Sequence, residues 1–302
     1  MSPKEKKKVL VTGASGFIGF HTLLPLLKRG FEVHGLTHSH TKNLPGITWH
    51  HADLTKVATQ VELVKSIRPT HLLHMAWYVT PGKYTEAPEN ETWLQVSLEL
   101  FNTFLKHGGQ RVATAGSCFE YDWTTALTGP LQCSEDKTPI KPLSFYGQCK
   151  NKLHQGLSAL SLPLGYAWGR IFYLYGIGEA PSRLVPALIR AMKNDTALAV
   201  WAPRLIRDYM YVKDVGDAFA ATLDSDYKGA VNIASGRPML LGDFVQALAP
   251  LLQKAATVKA EIVNPPLGPS SPLELTADTA ILNSKIGWRP SYDLTAGLQE
   301  MI

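Results

Sequence analysis

Residues 9–19 read VLVTGASGFIG, an apolar run that passes into a glycine-rich turn. Leucines at positions 23, 24, 26 and 27 follow with the spacing of one helix face, so the segment predicts a strand, a turn and a helix. Gly13 permits the sharp turn, Gly16 lets a phosphate approach the backbone, and Gly19 lets the helix pack closely on the strand. Backbone N–H groups and the positive end of the helix dipole then face an anion. We interpret this turn as the binding site of a dinucleotide.

The composition is that of a water-soluble globular protein. The chain has 302 residues, of which 45% are hydrophobic and 18% are charged. The net charge is +5, but four lysines against one glutamate lie within residues 1–8, ahead of the first strand. Most of the excess positive charge therefore belongs to an N-terminal tail, and nucleic acid is not expected as a partner.

Cysteine usage and hydropathy predict a cytoplasmic location. Cys118, Cys133 and Cys149 lack the framework spacing of secreted disulfide proteins, so their thiols are expected to be free. No secretory signal opens the sequence and no apolar run is long enough to span a bilayer, so no membrane association is expected. The ten histidines are not joined by cysteines or carboxylates at ligand spacing, and no metal site is expected.

The end of the second predicted strand, residues 31–36, bears on the choice of cofactor. A carboxylate there would bind the ribose 2′-hydroxyl of NAD and repel the 2′-phosphate of NADP. Thr37, His38 and Ser39 follow this strand instead, and hydroxyls and a titratable imidazole suit a phosphate better. We therefore expect NADP(H) as the preferred cofactor, with NAD(H) as the alternative.

Two further strand ends are expected to contact the same cofactor. A carboxylate after the third strand, predicted at 47–51, is suited to bind an adenine amino group or to cap the next helix. The end of the fourth strand, predicted at 70–76, is expected beside the diphosphate and ribose. The residues concerned are Asp53, Leu54, Met75, Ala76 and Trp77.

Strand-like and helical segments alternate through the first half of the chain. Residues 87–107 predict a long helix, and residues 110–116 predict a fifth strand that runs into Ser117. This alternation predicts an α/β fold, a Rossmann-type doubly wound parallel sheet with right-handed crossovers. Ligands of such sheets bind at the carboxyl ends of the strands. The long loop 118–142 is a candidate for a segment that covers the substrate.

Tyr146 and Lys150 carry the chemistry that the sequence suggests. On a helix they lie at i and i+4, so the phenol and the ammonium share one face. A nearby cation stabilises phenolate and lowers the pKa of the tyrosine, which suits it to exchange a proton with a sugar hydroxyl or carbonyl. Ser117, at the end of the fifth strand, supplies a hydroxyl that is able to hold the same oxygen. These three residues are the predicted catalytic set.

The motifs together resemble the extended short-chain dehydrogenase/reductase family, the group that contains nucleotide-sugar epimerases, dehydratases and ketoreductases. The resemblance begins with the glycine turn and the catalytic set and continues along nearly the whole chain. Its later parts are GRIFYLYG at 169–176, RDYMYVKDV at 207–215, VNIASG at 231–236 and IGWRP at 286–290.

The resemblance assigns roles to further residues. Tyr146 is implied as the acid/base, and Lys150 as the residue that tunes it and binds the nicotinamide ribose. Substrate contacts are implied for Ser117 and the two residues after it, and for two arginines that face the nucleotide-sugar phosphates. These substrate residues are Ser117, Cys118, Phe119, Arg183 and Arg207. The implied cofactor contacts are Gly13, Ser15, Gly16, Phe17, Ile18, Gly19, Thr37, His38, Ser39, Asp53, Leu54, Met75, Ala76, Trp77, Tyr146, Lys150 and Phe172.

Departures from the family pattern narrow the predicted reaction. Dehydratases of the family place an Asp-Glu pair after the catalytic hydroxyl, whereas Cys118 and Phe119 stand there in this chain, so dehydration is not expected. The segment 272–278 has no second phosphate-binding arginine. The NADP preference favours 4-ketoreduction of a 4-keto-6-deoxy sugar nucleotide. The alternatives are a nucleotide-sugar 4-epimerase with retained NAD, a reductase of non-nucleotide ketones, and a non-catalytic NAD(P)-binding regulator.

Two domains are expected. Residues 1–172 form the predicted dinucleotide-binding domain, residues 173–302 form a smaller α/β substrate domain, and residues 205–235 are expected to return to the first. The resemblance also implies a homodimer that forms through the helices near 87–107 and 146–160.

Overall fold

The structure is a computed structural model. It describes residues 7–38, 41, 43–124, 131–196, 200–201, 204–253, 262–263 and 272–302. Ser39, residues 1–6 of the expected tail, and residues 125–130 of the expected covering segment lie outside these ranges.

Strands and helices alternate through the first part of the chain, as its hydrophobic pattern predicts. The elements are β1 (Lys8–Thr12), α1 (Phe17–Lys28), β2 (Glu32–Thr37), β3 (Ile47–His51), α2 (Val57–Ile67), β4 (His71–His74), α3 (Glu89–Lys106), β5 (Arg111–Ser117), β6 (Leu131–Cys133), α4 (Phe145–Ser158) and β7 (Tyr166–Ile171).

Shorter elements dominate the rest of the chain. They are β8 (Tyr173–Tyr175), α5 (Leu184–Lys193), β9 (Val200–Trp201), β10 (Ile206–Tyr211), α6 (Val212–Asp224), β11 (Gly229–Ile233), β12 (Pro238–Leu240), α7 (Asp243–Leu251), β13 (Ile262–Val263), β14 (Glu274–Ala277), α8 (Ala280–Ser284) and α9 (Leu294–Gln299).

The main sheet has seven parallel strands in the order β11-β7-β5-β4-β1-β2-β3. Helices cover both faces, so that β4 is buried at every position and β1 at all but its first. Leu23 of α1 and Phe219 of α6 pack on one face. Phe101 of α3 and Leu153 of α4 pack on the other. The predicted doubly wound α/β fold is confirmed.

A second, smaller sheet lies beside the main one. Its strands run in the order β12-β10-β14-β6, and β8 pairs with β10. Helices α5, α7 and α9 pack together over an apolar cluster that includes Leu188, Phe244 and Leu298. The expectation of a smaller second α/β unit is confirmed.

The chain passes between the two sheets more often than the predicted boundaries imply. Strand β6 lies before residue 172, yet it pairs with β14 of the smaller sheet. Within 205–235, α6 packs on the main sheet and β11 joins it, whereas β10 belongs to the smaller sheet. The division at 172 stays a prediction, and any division of this chain is discontinuous.

Helices α1 and α6 approach each other closely at one glycine. Pro25 lies inside α1 and has no N–H to donate to the carbonyl of His21. Gly216 of α6 packs against that carbonyl, and a Cβ atom at position 216 would overlap its oxygen. Gly216 is therefore required by close packing against backbone, which cannot move aside as a side chain does.

We expect Gly216→Ala to destabilise the protein by about 1–3 kcal/mol, since the added methyl group meets fixed backbone. Gly156→Ala in α4 is the matched control, because its Cβ meets only the end of the flexible Leu98 side chain. The control is expected to lose less stability or to gain up to about 1 kcal/mol from helix propensity. Urea unfolding of both variants measures the difference. Equal losses in the two variants would contradict the packing assignment.

None of the described helices is long and apolar enough to cross a membrane.

Candidate functional site

The turn between β1 and α1 has the geometry that its three glycines predict. Gly13 adopts φ +64°, and a Cβ atom there would lie 2.9 Å from the backbone nitrogen of Ala76. A Cβ atom on Gly19 would overlap the carbonyl of Gly13. Gly16 is the N-cap of α1 and offers no side-chain cap to the first helical turn. The N–H groups at the start of α1, which follow this turn, fit a bound phosphate. The turn therefore fits a dinucleotide, whose diphosphate would lie against Gly13, Ser15, Gly16, Phe17, Ile18 and Gly19.

A buried hydrogen-bond network ties this turn to the end of β4. Thr12 Oγ1 accepts hydrogen bonds from the N–H groups of Met75 and Ala76, at 3.1 and 3.2 Å. Its own proton therefore goes to Nδ1 of His74, 2.8 Å away. His74 Nε2 then donates to Ser97 Oγ at 2.8 Å. Burial, with a smaller contribution from Lys150, lowers the pKa of His74 to about 3, so the ring is neutral and its tautomer is fixed.

The residues predicted to contact the adenosine part of the cofactor differ in their exposure to solvent. Thr37 is 2% exposed, and its hydroxyl lies 2.7 Å from that of Ser15. This hydrogen bond joins the end of β2 to the glycine turn. His38 is exposed. Asp53 Oδ1 accepts hydrogen bonds from the N–H and the hydroxyl of Thr55, at 3.0 and 2.6 Å. The predicted capping role of Asp53 is wrong, because α2 begins two residues after Thr55 and its N-cap is Lys56.

Leu54 is buried under this end of the sheet and packs in the core between the sheet and α2. Strand β4 ends at His74, so Met75, Ala76 and Trp77 follow the strand instead of ending it, which shortens the strand predicted at 70–76. The backbone of Met75 and Ala76 faces the glycine turn through the Thr12 hydrogen bonds. These positions lie beside the predicted cofactor site.

Tyr146, Lys150 and Ser117 meet at the carboxyl edge of the main sheet. Ser144 caps α4 by accepting a hydrogen bond from the N–H of Gly147, which starts the helix just before Tyr146. The Lys150 amine lies 5.8 Å from the centre of the Tyr146 ring. Ser117 ends β5, and its side chain lies near enough to the Tyr146 hydroxyl to lower the pKa of that phenol. The structure therefore brings the three predicted residues together.

Burial dominates the electrostatics of this group. Tyr146 is 8% exposed and Lys150 is 2% exposed. Burial raises the pKa of Tyr146 well above its ordinary range, and it lowers the pKa of Lys150 to about 7. The tyrosine is therefore a protonated phenol, and the prediction that Lys150 lowers its pKa is wrong, because burial outweighs any effect of the amine. Any positive charge near it stabilises the phenolate that remains.

Sequence reasoning missed Tyr84, which forms an aromatic wall around Tyr146 together with the predicted Phe119 and Trp77. The Tyr84 ring lies 5.0 Å from the Tyr146 ring, at an interplanar angle of 87°. Phe119 lies 5.9 Å from Tyr146, and Trp77 lies 6.4 Å from it. Tyr84 and Trp77 belong to the connection between β4 and α3, which contains three aromatic residues in eight positions. This concentration of aromatic residues in the sequence was the signal that could have indicated the wall.

The residues expected at the substrate end differ in accessibility. Arg207 is 3% exposed, and its guanidinium donates to the carbonyls of Ile206, Leu273 and Pro272. Arg183 is half-buried at the start of α5, with its guanidinium 5.7 Å from the Tyr84 ring. Arg183 is therefore the more available of the two cations.

Cys118 and Phe172 are structural in their immediate contacts. Cys118 is 2% exposed, and burial raises the pKa of its thiol well above the usual value. Its carbonyl accepts a hydrogen bond from the Trp123 indole at 2.9 Å. Phe172 is 4% exposed, and its N–H donates to the carbonyl of Ile233. Both residues belong to one apolar cluster under the site.

The histidines pair with neighbours and do not gather around a common centre. His34 Nδ1 lies 2.8 Å from His50 Nε2, and their rings are stacked. Across the described ranges, no three His, Cys, Asp or Glu side chains are grouped as metal ligands.

The comparisons with known proteins agree with this geometry. A family model described as the NAD dependent epimerase/dehydratase family matches residues 9–234. The chain belongs to this family. The resemblance drawn from the sequence motifs is thereby confirmed, and the cofactor class of the family is NAD.

Three relatives illustrate the range of this epimerase/dehydratase family. UDP-glucose 4-epimerase of Rhizobium meliloti is 22% identical, over 97% of this chain and 95% of its own length. The dTDP-6-deoxy-L-talose 4-dehydrogenase (NAD(+)) of Aggregatibacter actinomycetemcomitans is 23% identical, over 79% and 88%. The crystal structure of Thermus thermophilus UDP-glucose 4-epimerase in complex with NAD is 25% identical, covers 97% and 96%, and has a TM-score of 0.81.

We expect the stability of the wild-type protein to rise relative to Lys150→Met between about pH 7 and about pH 9. The pKa of Lys150 is about 7 in the folded chain and 10.5 ordinarily, so in this window the unfolded chain binds a proton that the folded chain does not. The free energy of unfolding then rises by at most about 1.4 kcal/mol per pH unit. Urea unfolding at both pH values measures it. A difference that stays constant or falls with pH would disprove the burial of the amine.

Proposed function

We propose that the protein is an NAD(P)-dependent oxidoreductase that transfers a hydride to a nucleotide-linked sugar. The net reaction that we favour is 4-ketoreduction of a 4-keto-6-deoxy sugar nucleotide. The observation that carries the proposal is the meeting of Tyr146, Lys150 and Ser117 at the sheet edge beside the glycine turn. This site belongs to a fold in which ligands bind at that edge.

The residues divide the chemistry between them. Ser117 holds the substrate carbonyl oxygen by a hydrogen bond, and Tyr146 donates its proton to that oxygen as the carbonyl is reduced. Lys150 stabilises the phenolate that Tyr146 leaves behind. The nicotinamide, when bound, supplies the hydride. Burial raises the pKa of Tyr146, so the residue holds the proton that the reduction requires.

The surroundings of Glu120 support reduction over dehydration. Elimination of water needs a carboxylate that is free to exchange protons with the substrate. Cys118 and Phe119 follow Ser117, and Glu120 comes next but is 0% exposed. Its oxygens accept hydrogen bonds from Ser117 N and from the side chains of Trp168 and Arg170. Both oxygens of this carboxylate already accept hydrogen bonds, so it is not free to exchange protons with a substrate.

The substrate phosphates are proposed to bind Arg183 and Arg207. Arg183 is the accessible cation of the cleft and lies beside Tyr84 near the catalytic tyrosine. Three carbonyls hold Arg207, so of its five N–H groups the Nε–H and one on Nη2 remain for a phosphate. Arg207 is then a rigid secondary contact, and Arg183 is the principal one.

The cofactor preference is proposed to be NADP(H). Among the described residues, no carboxylate follows β2, and the exposed His38 stands at that end. NAD(H) is the alternative, and it has the support of the family description and of the NAD complex of the Thermus thermophilus relative.

A second candidate function is nucleotide-sugar 4-epimerisation with a retained NAD. The observation that favours it is the similarity to UDP-glucose 4-epimerases along nearly the whole chain. The similarity to a 4-dehydrogenase of a dTDP-linked deoxy sugar favours net reduction instead. A non-catalytic regulator is disfavoured by the assembled Tyr146, Lys150 and Ser117.

We expect Tyr146→Phe to lower kcat by about 10²- to 10⁴-fold, because the proton donor is removed while the ring packing is kept. Oxidation of NADPH by a dTDP-4-keto-6-deoxy sugar, followed by absorbance, measures the loss. Tyr166→Phe is the matched control, since its hydroxyl lies on β7 beside His154 and outside the site. Equal turnover in Tyr146→Phe and the wild type would refute the enzymatic assignment.

We expect the purified protein to carry no dinucleotide in native mass spectrometry and to be stabilised more by NADPH than by NADH. A reductase must release its oxidised cofactor after each turnover, whereas an epimerase keeps NAD to return the hydride. Bound NAD⁺ that survives purification, together with conversion of UDP-glucose to UDP-galactose, would establish the epimerase alternative instead.

A further inference from the structure

One contact in the site is predicted by no motif: the Lys150 amine lies 3.7 Å from the centre of the Trp77 ring. We propose that Trp77 is a positioning residue, whose indole face stabilises the ammonium form of the buried Lys150 and holds the amine beside Tyr146. The proposal deepens the proposed function, since it rests on the roles given there to Lys150 and Tyr146.

The Lys150 amine has few other partners for its charge. It donates one hydrogen bond, to the carbonyl of Ala115 at 2.9 Å, and its side chain is almost completely buried. In the described part of the chain no carboxylate forms an ion pair with it. A buried ammonium without a carboxylate is costly, so the electron-rich face of an indole becomes a principal stabilising contact.

The titratable groups around the amine do not replace that contact. On α4 they are Tyr146, which is a phenol, and Cys149. His74 of β4 is neutral. Glu120, in the turn after β5, attracts the ammonium from a distance, but its oxygens are bound to Ser117, Trp168 and Arg170. Each of these groups is neutral or already paired.

The position of the Trp77 ring is fixed independently of Lys150. Its indole N–H donates to Asn90 Oδ1 at 2.8 Å. Asn90 is 0% exposed, and its amide N–H groups donate to the carbonyls of Tyr84 and Ala87. The Trp93 ring lies near the Trp77 ring, with ring centres 6.5 Å apart. The indole is therefore a preformed surface against which the amine is placed.

Two explanations of Trp77 predict pKa changes of opposite sign. If the indole stabilises the ammonium, its removal lowers the pKa of Lys150 by about one pH unit or more. If the indole only excludes water, its removal hydrates the amine and raises the pKa towards 10.5. The direction of the change separates a stabilising contact from simple space filling.

The test is a titration of Lys150 in the full-length protein by NMR of ¹³Cε-labelled lysine, with Lys150→Met to assign the signal. Trp77→Leu is expected to lower the pKa by about one unit or more, whereas Trp77→Phe, which keeps a ring face, is expected to lower it by less. The basic limb of the kcat profile should move with it. An unchanged or raised pKa in Trp77→Leu overturns the proposal.

A second experiment changes the electron density of the Trp77 ring and keeps its shape. Biosynthetic replacement of tryptophan by fluorinated tryptophan weakens the ring face, so the pKa of Lys150 should fall in the wild type but not in a Trp77→Phe background. A fall in both, or in neither, overturns the proposal. Because neither titration needs a substrate, the contact is decided even if Tyr146→Phe shows that the proposed function is wrong.

Discussion

The site depends on one close approach between two pieces of backbone. Gly13 lies so near Ala76 that no side chain fits between them, and the Thr12 hydroxyl binds the N–H groups of Met75 and Ala76 across the gap. The buried, neutral His74 completes this junction. It fixes the phosphate-binding turn against the end of β4, and it also sets where the chain leaves the sheet. Trp77 is thereby placed over the Lys150 amine.

The exclusion of water is the second constraint on the site. Tyr146 and Lys150 lie under aromatic rings, so water contributes little to stabilising either of their charged forms. The pKa of Tyr146 is therefore raised, and the phenol keeps its proton. Free energy that water would ordinarily supply comes instead from fixed groups, namely the Ala115 carbonyl and the indole face. In the proposed reaction, these fixed groups replace solvent that would otherwise have to reorganise.

Sequence pattern predicted what depends on local spacing. The glycine turn, the strand Ile47–His51 and the shared face of Tyr146 and Lys150 follow from periodicity and residue type, and the structure has them where expected. The Trp77 contact was not predicted, because it joins residues far apart in sequence. Strand β6, at three residues, carries too little alternation to show that it belongs to the second sheet. The carbonyl bonds of Arg207 likewise depend on a distant loop.

The pairing of β6 with β14 has a consequence for synthesis of the protein. Leu131 pairs with Leu275, so a strand made before the middle of the chain waits for a partner translated about 140 residues later. At ribosomal speeds of about 5–20 residues per second, that interval lasts on the order of ten seconds. Meanwhile the main sheet, which has five of its seven strands when β6 is made, gains β7 and β11 and is free to collapse. The nascent chain thus carries β6 as a strand without its partner β14, and chaperones bind exposed strands of this kind.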